Sequence, residues 1–360
     1  MIARDGRSRV QIVLTGAYGN LGDAVIRRRA LEWVRPLGEV HAYVGNAPDS
    51  WIEQLGLGGG DVVYRSGARF AWMSSFFARS RPVAFVLDPG EVPLGRRDLP
   101  AEIVMLLMTL AARVRGAAVI RPPRGLGKIS RVTLFVHKLA SALSHEKMWR
   151  NERSMAIMGR GRATPDIAFQ EPTVEGSPFA ARPTLVVSMR GKRSFPSSNW
   201  VQAITRIAAE RNLRIVCLSQ VREDEVRTEE LAHKLSASVV KWDRASDLEH
   251  EVRVRQEYEA AQIVVSDRLH VLILSALAGA VPIELADSPK GKVDEHFSQI
   301  GASGVSVDTS TMAANDVLER VRGLIAGREE LRARMTAASS ELDEVERDVR
   351  GLIEQSKLRR

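Results

Sequence analysis

Short apolar, β-branched runs recur along the chain, and most are followed by a turn and then by apolar positions at helical spacing. The first run, residues 10–15, enters GAYGNLGDA, and a helix over about 24–34 with Asp23 as its N-cap is expected next. Strands are expected at 40–44, 61–64, 83–87 and 117–120, with helices at 102–115, about 132–143 and from about 152. Residues 121–128, RPPRGLGK, read as a loop, and PDIAF (165–169) ends this half. EPTVEGSPFAARP, residues 171–183, gathers Pro, Gly and Ser without periodicity and reads as a linker. The pattern then restarts, with strands at 184–188, 213–218, 239–240, 263–265 and 281–285. Helices are expected between them at 200–211, 223–235, 249–260 and 268–278. From 313 to about 355 the chain is helical and charged, with breaks expected at Gly323 and Gly327. Strands alternating with helices predict an α/β fold with mainly parallel, doubly wound sheets. At 360 residues two such domains are expected. The divisions predicted are 1–172, a linker at 173–183, a second domain over 184–312 and a helical segment over 313–360.

The stretch 263–285, IVVSDRLHVLILSALAGAVPIEL, carries the most pointed chemistry. A buried strand runs into Ser266 and Asp267, either of which can cap the next helix, and Gly279 and Pro282 end that helix. Arg268 and His270 therefore fall in the first turn of a helix, just past the carboxyl end of a strand. In an open α/β sheet this is where ligands bind, and a helix N-terminus with a guanidinium beside it favours anions. The plainer alternative is a corner in which Arg268 pairs with Asp267 or another acid and His270 is satisfied in the core. The strand at 184–188 exits at Arg190-Gly191-Lys192 on the same sheet edge. Two arginines and a histidine converging there suit a small dianion or trianion; the alternative for Arg190 and Lys192 is a solvated loop. Gly16, Gly19 and Gly22 permit a tight turn, but their spacing is not the dinucleotide fingerprint. The second strand ends at Gly45-Asn46 without an acid for a ribose, so a nicotinamide site is not expected.

Composition narrows the classes further. The single cysteine, Cys217, sits in an apolar run and reads as core, and the seven histidines lack ligand spacing, so no metal centre is expected. Net charge is +8, and it is unevenly spread. Between Glu102 and Glu146 there is no acid, whereas Arg113, Arg115, Arg121, Arg124, Lys128, Arg131 and Lys138 all fall there. Such a segment suits an anionic membrane face, a polyanion or nucleic acid, or is simply a solvated surface. Aromatics are only 5%, which leaves few stacking platforms, and nucleic acid is not an expected partner. MIARDGRSRV is polar and leads into a strand, and the longest apolar runs, 103–112 and 271–283, fall short of the roughly 20 residues of a membrane helix. A cytoplasmic protein is expected, with peripheral contact at the inner membrane face kept open.

GAYGNLGDAVI, PDIAF, VVSMRG and SDRLHVLILSALAGAVPIEL together resemble the polysaccharide pyruvyl transferase family over roughly residues 10–300. The most specific part is Ser-x-Arg-x-His followed by the small, apolar helix and Gly-x-Pro. The resemblance implies a GT-B-like fold of two Rossmann-like domains around a cleft. It implies transfer of pyruvate from phosphoenolpyruvate onto sugar hydroxyls as a ketal, with release of phosphate, in the synthesis of cell-surface polysaccharide or glycoconjugate. By motif match, His270 and Arg268 would be catalytic, and Arg190, Arg268, Leu269 and Lys192 would hold the donor. Gly19, Asn20, Gly22 and Asp23 would form a loop across the cleft. Phosphoenolpyruvate would be a co-substrate, with no resident cofactor, and the acceptor a sugar, oligosaccharide or lipid-linked glycan. Two stretches depart from the family pattern: Asp88-Pro-Gly-Glu-Val-Pro stands where a Gly-Gly-Gly run is usual, and Arg121-Pro-Pro-Arg-Gly-Leu-Gly where a Gly-Gln-Gly-x-Gly-Pro loop is usual. Both lie in the first domain, the acceptor side. The alternatives are a GT-B nucleotide-sugar glycosyltransferase, with Glu284 as its ribose-binding acid, and a non-catalytic glycan- or polyanion-binding protein.

Overall fold

A computed structural model describes residues 8–78, 81–174, 177–242 and 246–358. The opening residues 1–7 and residues 175–176 of the expected linker lie outside the described set. The chain forms two compact units. One takes in Asp23–Ile167 with the described parts of Met1–Tyr18 and Ser340–Arg360; the other takes in Gly19–Gly22 and Ala168–Ser339. The division falls inside PDIAF, between Ile167 and Ala168.

The first unit is built on strands β1 (Arg9–Val13), β2 (Glu39–Gly45), β3 (Val62–Arg65), β4 (Pro82–Val86), β5 (Gly90–Leu94), β6 (Ala118–Ile129), β7 (Glu146–Trp149) and β8 (Arg162–Ala163). They pair in the order β3-β2-β1-β4-β6-β7-β8, with β5 also on β6, and every pairing is parallel. Its helices are α1 (Leu21–Val34), α2 (Asp49–Gln54), α3 (Arg69–Ser75), α4 (Leu99–Val114), α5 (Arg131–Ala142) and α6 (Glu152–Met158). Residues 121–128, expected as a loop, are strand. The edge offered by β5 extends β6 to Ile129, and Pro122 and Pro123, which lack N–H donors, fall where the register shifts between Arg121 and Arg124.

The second unit holds β9 (Thr184–Ser188), β10 (Arg214–Leu218), β11 (Ser238–Val240), β12 (Ala261–Ser266), β13 (Val281–Ala286) and β14 (Ser306–Asp308). Their order is β11-β10-β9-β12-β13-β14, again all parallel. The helices are α7 (Ser198–Glu210), α8 (Glu225–Leu235), α9 (Asp247–Ala260), α10 (Leu269–Leu277), α11 (Lys292–Gln299), α12 (Ala314–Ala326) and the first part of α13 (Arg328–Leu358), whose residues from Ser340 on belong to the first unit. Strands β9, β12 and β13 are buried at every position, as parallel strands covered on both faces must be, which is why their sequences are nearly unbroken apolar runs. The strand order reverses between β9 and β12. The loops leaving these two strands therefore flank the topological switch point, the place where open α/β sheets bind ligands.

Three further expectations are corrected. Helix α1 starts at Leu21, so Asp23 lies in its first turn and does not cap it; the Asp23 carboxylate accepts the Ala17 N–H at 2.9 Å. Gly323 stays inside α12 and only Gly327 interrupts, because one glycine costs a helix only about 1 kcal/mol. Of the basic run 113–138, Arg121 and Arg124 are buried, so the run is not one continuous surface.

Candidate functional site

Around the switch point of the second unit, two buried carboxylates organise the polar groups. Strand β12 ends at Ser266, whose hydroxyl oxygen accepts the Arg268 N–H at 3.0 Å. Asp267 accepts the Arg190 backbone N–H at 2.9 Å on one oxygen and lies 2.9 Å from Arg193 Nε on the other. Arg190 Nε reaches the Asp267 carbonyl at 3.3 Å. Asp224, at the start of α8, accepts the Gly191 N–H at 2.8 Å and pairs with the Arg268 guanidinium. The turn after β9 is thus clamped by Asp267 and Asp224, and three guanidiniums gather on them. Burial pushes the Arg190 pKa below its ordinary value, and the neighbouring Arg268 charge adds to this. Glu284, on β13, accepts the Ser306 hydroxyl at 2.6 Å and lies 4.0 Å from Arg193; burial raises its carboxyl above the usual range.

Arg268 is itself the N-cap residue of α10, with no side-chain cap, so neither Ser266 nor Asp267 holds that place. The alternative that Arg268 pairs with an acid is realised, with Asp224 as the acid. His270 follows in the first turn of α10. It packs directly on Gly22: a Cβ built there would lie 2.4 Å from His270 Nδ1. The glycine loop is held in this unit by backbone bonds, from Leu21 N–H to the Gln220 carbonyl at 3.1 Å and from Arg222 N–H to the Gly19 carbonyl at 3.1 Å. Asn20 bridges Val221 in antiparallel fashion. Gly19 adopts φ +72°, which glycine takes without strain.

The expected site residues therefore fall into three places. Arg190 and Lys192 line a cavity of about 320 Å³ together with Arg193, Arg227 and Lys290. Lys192 is 81% exposed and pairs with Glu223 at 2.7 Å, on the rim. Arg268 and His270 do not line that cavity; Arg268 pairs with Asp224, and His270 packs on Gly22 of the glycine loop, whose Gly19 and Asn20 lie against Arg222 and Val221. Leu269 is buried, so only its backbone is available at the helix start. Asp23 is grouped with the first unit, where Ala17 and Arg27 are its partners. Larger cavities of about 730 and 440 Å³ lie against α12 and α13 and contain none of these residues.

Arg193, Asp224, Asp267, Arg227 and Lys290 were not among the expected site residues. The R-G-K-R run at 190–193 was the one local signal for Arg193. Among the described residues no group of three His, Cys, Asp or Glu side chains is arranged to hold a metal ion.

The fold is α/β and of the GT-B kind. A putative UDP-N-acetylglucosamine 2-epimerase from Listeria monocytogenes is similar at 12% identity, over 92% of this chain and 91% of its own, with a TM-score of 0.57. Anabaena Alr3699/HepE, solved with UDP and glucose, is similar at 12% identity over 98% of this chain and 100% of its own, with a TM-score of 0.54. The glycotransferase of kitacinnamycin is similar at 12% identity over 97% of each chain, also with a TM-score of 0.54. At such identities the likeness shows the fold alone. Residues 135–283 match the family described as polysaccharide pyruvyl transferase, which supports the resemblance read from the sequence. That match spans Arg190, Asp224, Arg268 and His270. No curated protein matches the chain. The family match supports a transferase with a glycan-modifying role in polysaccharide synthesis.

Proposed function

We propose that the protein is a pyruvyltransferase that moves pyruvate from phosphoenolpyruvate onto two hydroxyls of a sugar or glycan as a ketal. The observation that carries this reading is the gathering of Arg190, Arg193 and Arg268 on buried Asp267 and Asp224, beside His270 at the head of α10. Phosphoenolpyruvate carries a carboxylate and a phosphate on one carbon, and a set of oriented guanidiniums suits both.

In the reaction, His270 gives a proton to the methylene carbon while one acceptor hydroxyl adds to the adjacent carbon, losing its own proton to a base. The phosphate then leaves with the C–O bonding pair as the second hydroxyl adds, and that proton departs with the phosphate or the base. Histidine exchanges protons near neutral pH, and the arginines stabilise the charge that builds on the phosphate. The chemistry asks for no metal and no resident cofactor. Glu284, which a nucleotide-sugar reading needs for a ribose, is buried and already accepts the Ser306 hydroxyl.

Incubation with phosphoenolpyruvate and a panel of glycosides, followed by mass spectrometry, should reveal the pyruvyl increment together with released phosphate. His270→Ala should abolish turnover with an unchanged melting temperature. Arg190→Lys and Arg268→Lys should each lower kcat/KM by about a hundredfold or more, because the bidentate fork is lost. Near-wild-type rates in all three variants, or a larger thermal shift with a nucleoside diphosphate than with phosphoenolpyruvate in chelator, would overturn the reading.

A further inference from the structure

Three helices of the first unit turn an apolar face to solvent. On α4, Ile103, Leu107, Leu110 and Val114 recur at spacings of four, three and four residues, which sets them in one stripe; Val114 is 78% exposed. On α5, Val132, Phe135 and Leu139 form a second stripe. Phe70 on α3 is 79% exposed, and Phe77 just beyond it 63%. These nine residues are more than half of the large apolar side chains exposed among the described residues. The helices are neighbours. Trp72 and Phe76 share a core cluster with Met108 and Ala112 of α4, and the Arg115 guanidinium donates to the Ala78 carbonyl at 2.7 Å. On the inner side, His137 of α5 meets Glu102 of α4 at 2.8 Å, so the stripes opposite face outward.

Charge selects the occupant. Glu102 is the one acid in α3, α4 and α5, and it is buried against His137. The exposed charges on the same helices are Arg69, Arg113, Arg131 and Lys138, with Lys128 just before α5. A second protein copy would bring its own cations to this face; an anionic lipid surface would bring headgroup charge to the rim and acyl chains to the aromatic and aliphatic stripe. No helix among the described residues is long and apolar enough to cross a membrane.

We infer that α3, α4 and α5 form a membrane-docking face that holds the first unit on anionic lipid. It is independent of the donor chemistry and stands or falls apart from it. The test is co-sedimentation of the full chain with phosphatidylglycerol-containing vesicles, against phosphatidylcholine-only vesicles, at low and high salt. The wild-type chain should sediment with the anionic vesicles and be partly released by salt. Phe77→Ser combined with Phe135→Ser should weaken binding by about tenfold or more at either salt concentration, with an unchanged melting temperature because both side chains are exposed. Arg131→Glu with Lys138→Glu should weaken it by a similar factor, chiefly at low salt. Absence of vesicle binding, binding indifferent to both double variants, or a dimer in light scattering that the Phe77/Phe135 variant dissolves would overturn the inference.

Discussion

Asp267 divides its two oxygens: one holds the backbone at Arg190, the other lies against the guanidinium of Arg193. A buried carboxylate is stable only while such partners remain, so the turn after β9 cannot drift without exposing an unpaired charge. Gly22 works by absence. It lies in the first turn of α1, where alanine is favoured by helix propensity, yet a methyl group there would collide with the His270 ring. Because the methyl would meet His270 Cβ and Cγ as well as the ring nitrogen, Gly22→Ala should lower the melting temperature as well as displace the imidazole, lowering kcat by about tenfold or more with little change in KM. Steady-state kinetics alongside a melting curve check this; unchanged kcat would place His270 outside the chemistry.

At the scale of elements, α4 and α5 are joined by a buried polar pair whose state depends on pH. Burial lowers the His137 pKa to about 4, with Arg121 and Arg124 opposing a further positive charge and Glu102 only partly offsetting this. The unfolded chain takes up the proton near pH 6.5, and the folded chain refuses it until about 4. The stability contributed is present above pH 6.5 and is lost as pH falls towards 4. Glu102, whose pKa is also lowered as His137 hydrogen-bonds it against the cost of burial, carries the loss in the same direction. The difference amounts to about 3 kcal/mol for His137. Urea unfolding at pH 7 and pH 5 should show a steeper loss for the wild type than for His137→Gln; parallel slopes would show that His137 is protonated in the folded state.

At the scale of the molecule, the chain closes its first unit with residues far away in sequence. Leu342, Val345, Val349 and Ile353 of α13 are buried, Arg350 donates to the Trp33 and Glu32 carbonyls at 3.0 and 3.2 Å, and Ser356 donates to the Gly116 carbonyl at 2.7 Å. Four buried aliphatic side chains contribute about 6 kcal/mol or more, comparable with the whole stability of a domain. A chain ending at residue 339 should lose the cooperative unfolding transition of the first unit; calorimetry showing it intact would mean that α13 is an appendage.

The alternation of strands and helices was legible in the sequence because parallel strands covered on both faces are necessarily apolar runs, and 184–188 and 263–265 lie on β9 and β12. The positions of Arg190, Arg268 and His270 just past strand ends were legible, because each follows the carboxyl end of a strand. Their partners were not. Asp224 stands 44 residues from Arg268, and Gly22 meets His270 across most of the chain; local periodicity reports which face is buried but not which charge lies opposite. For the same reason RPPRGLGK read as a loop until β5 supplied an edge, and the basic run 113–138 read as one surface although Arg121 and Arg124 lie inside it. Sequence decided the elements and which strand ends carry Arg190, Arg268 and His270. Tertiary structure decided which carboxylates hold the arginines, and where the apolar stripes of α4 and α5 come to lie, because both depend on distances that only packing sets.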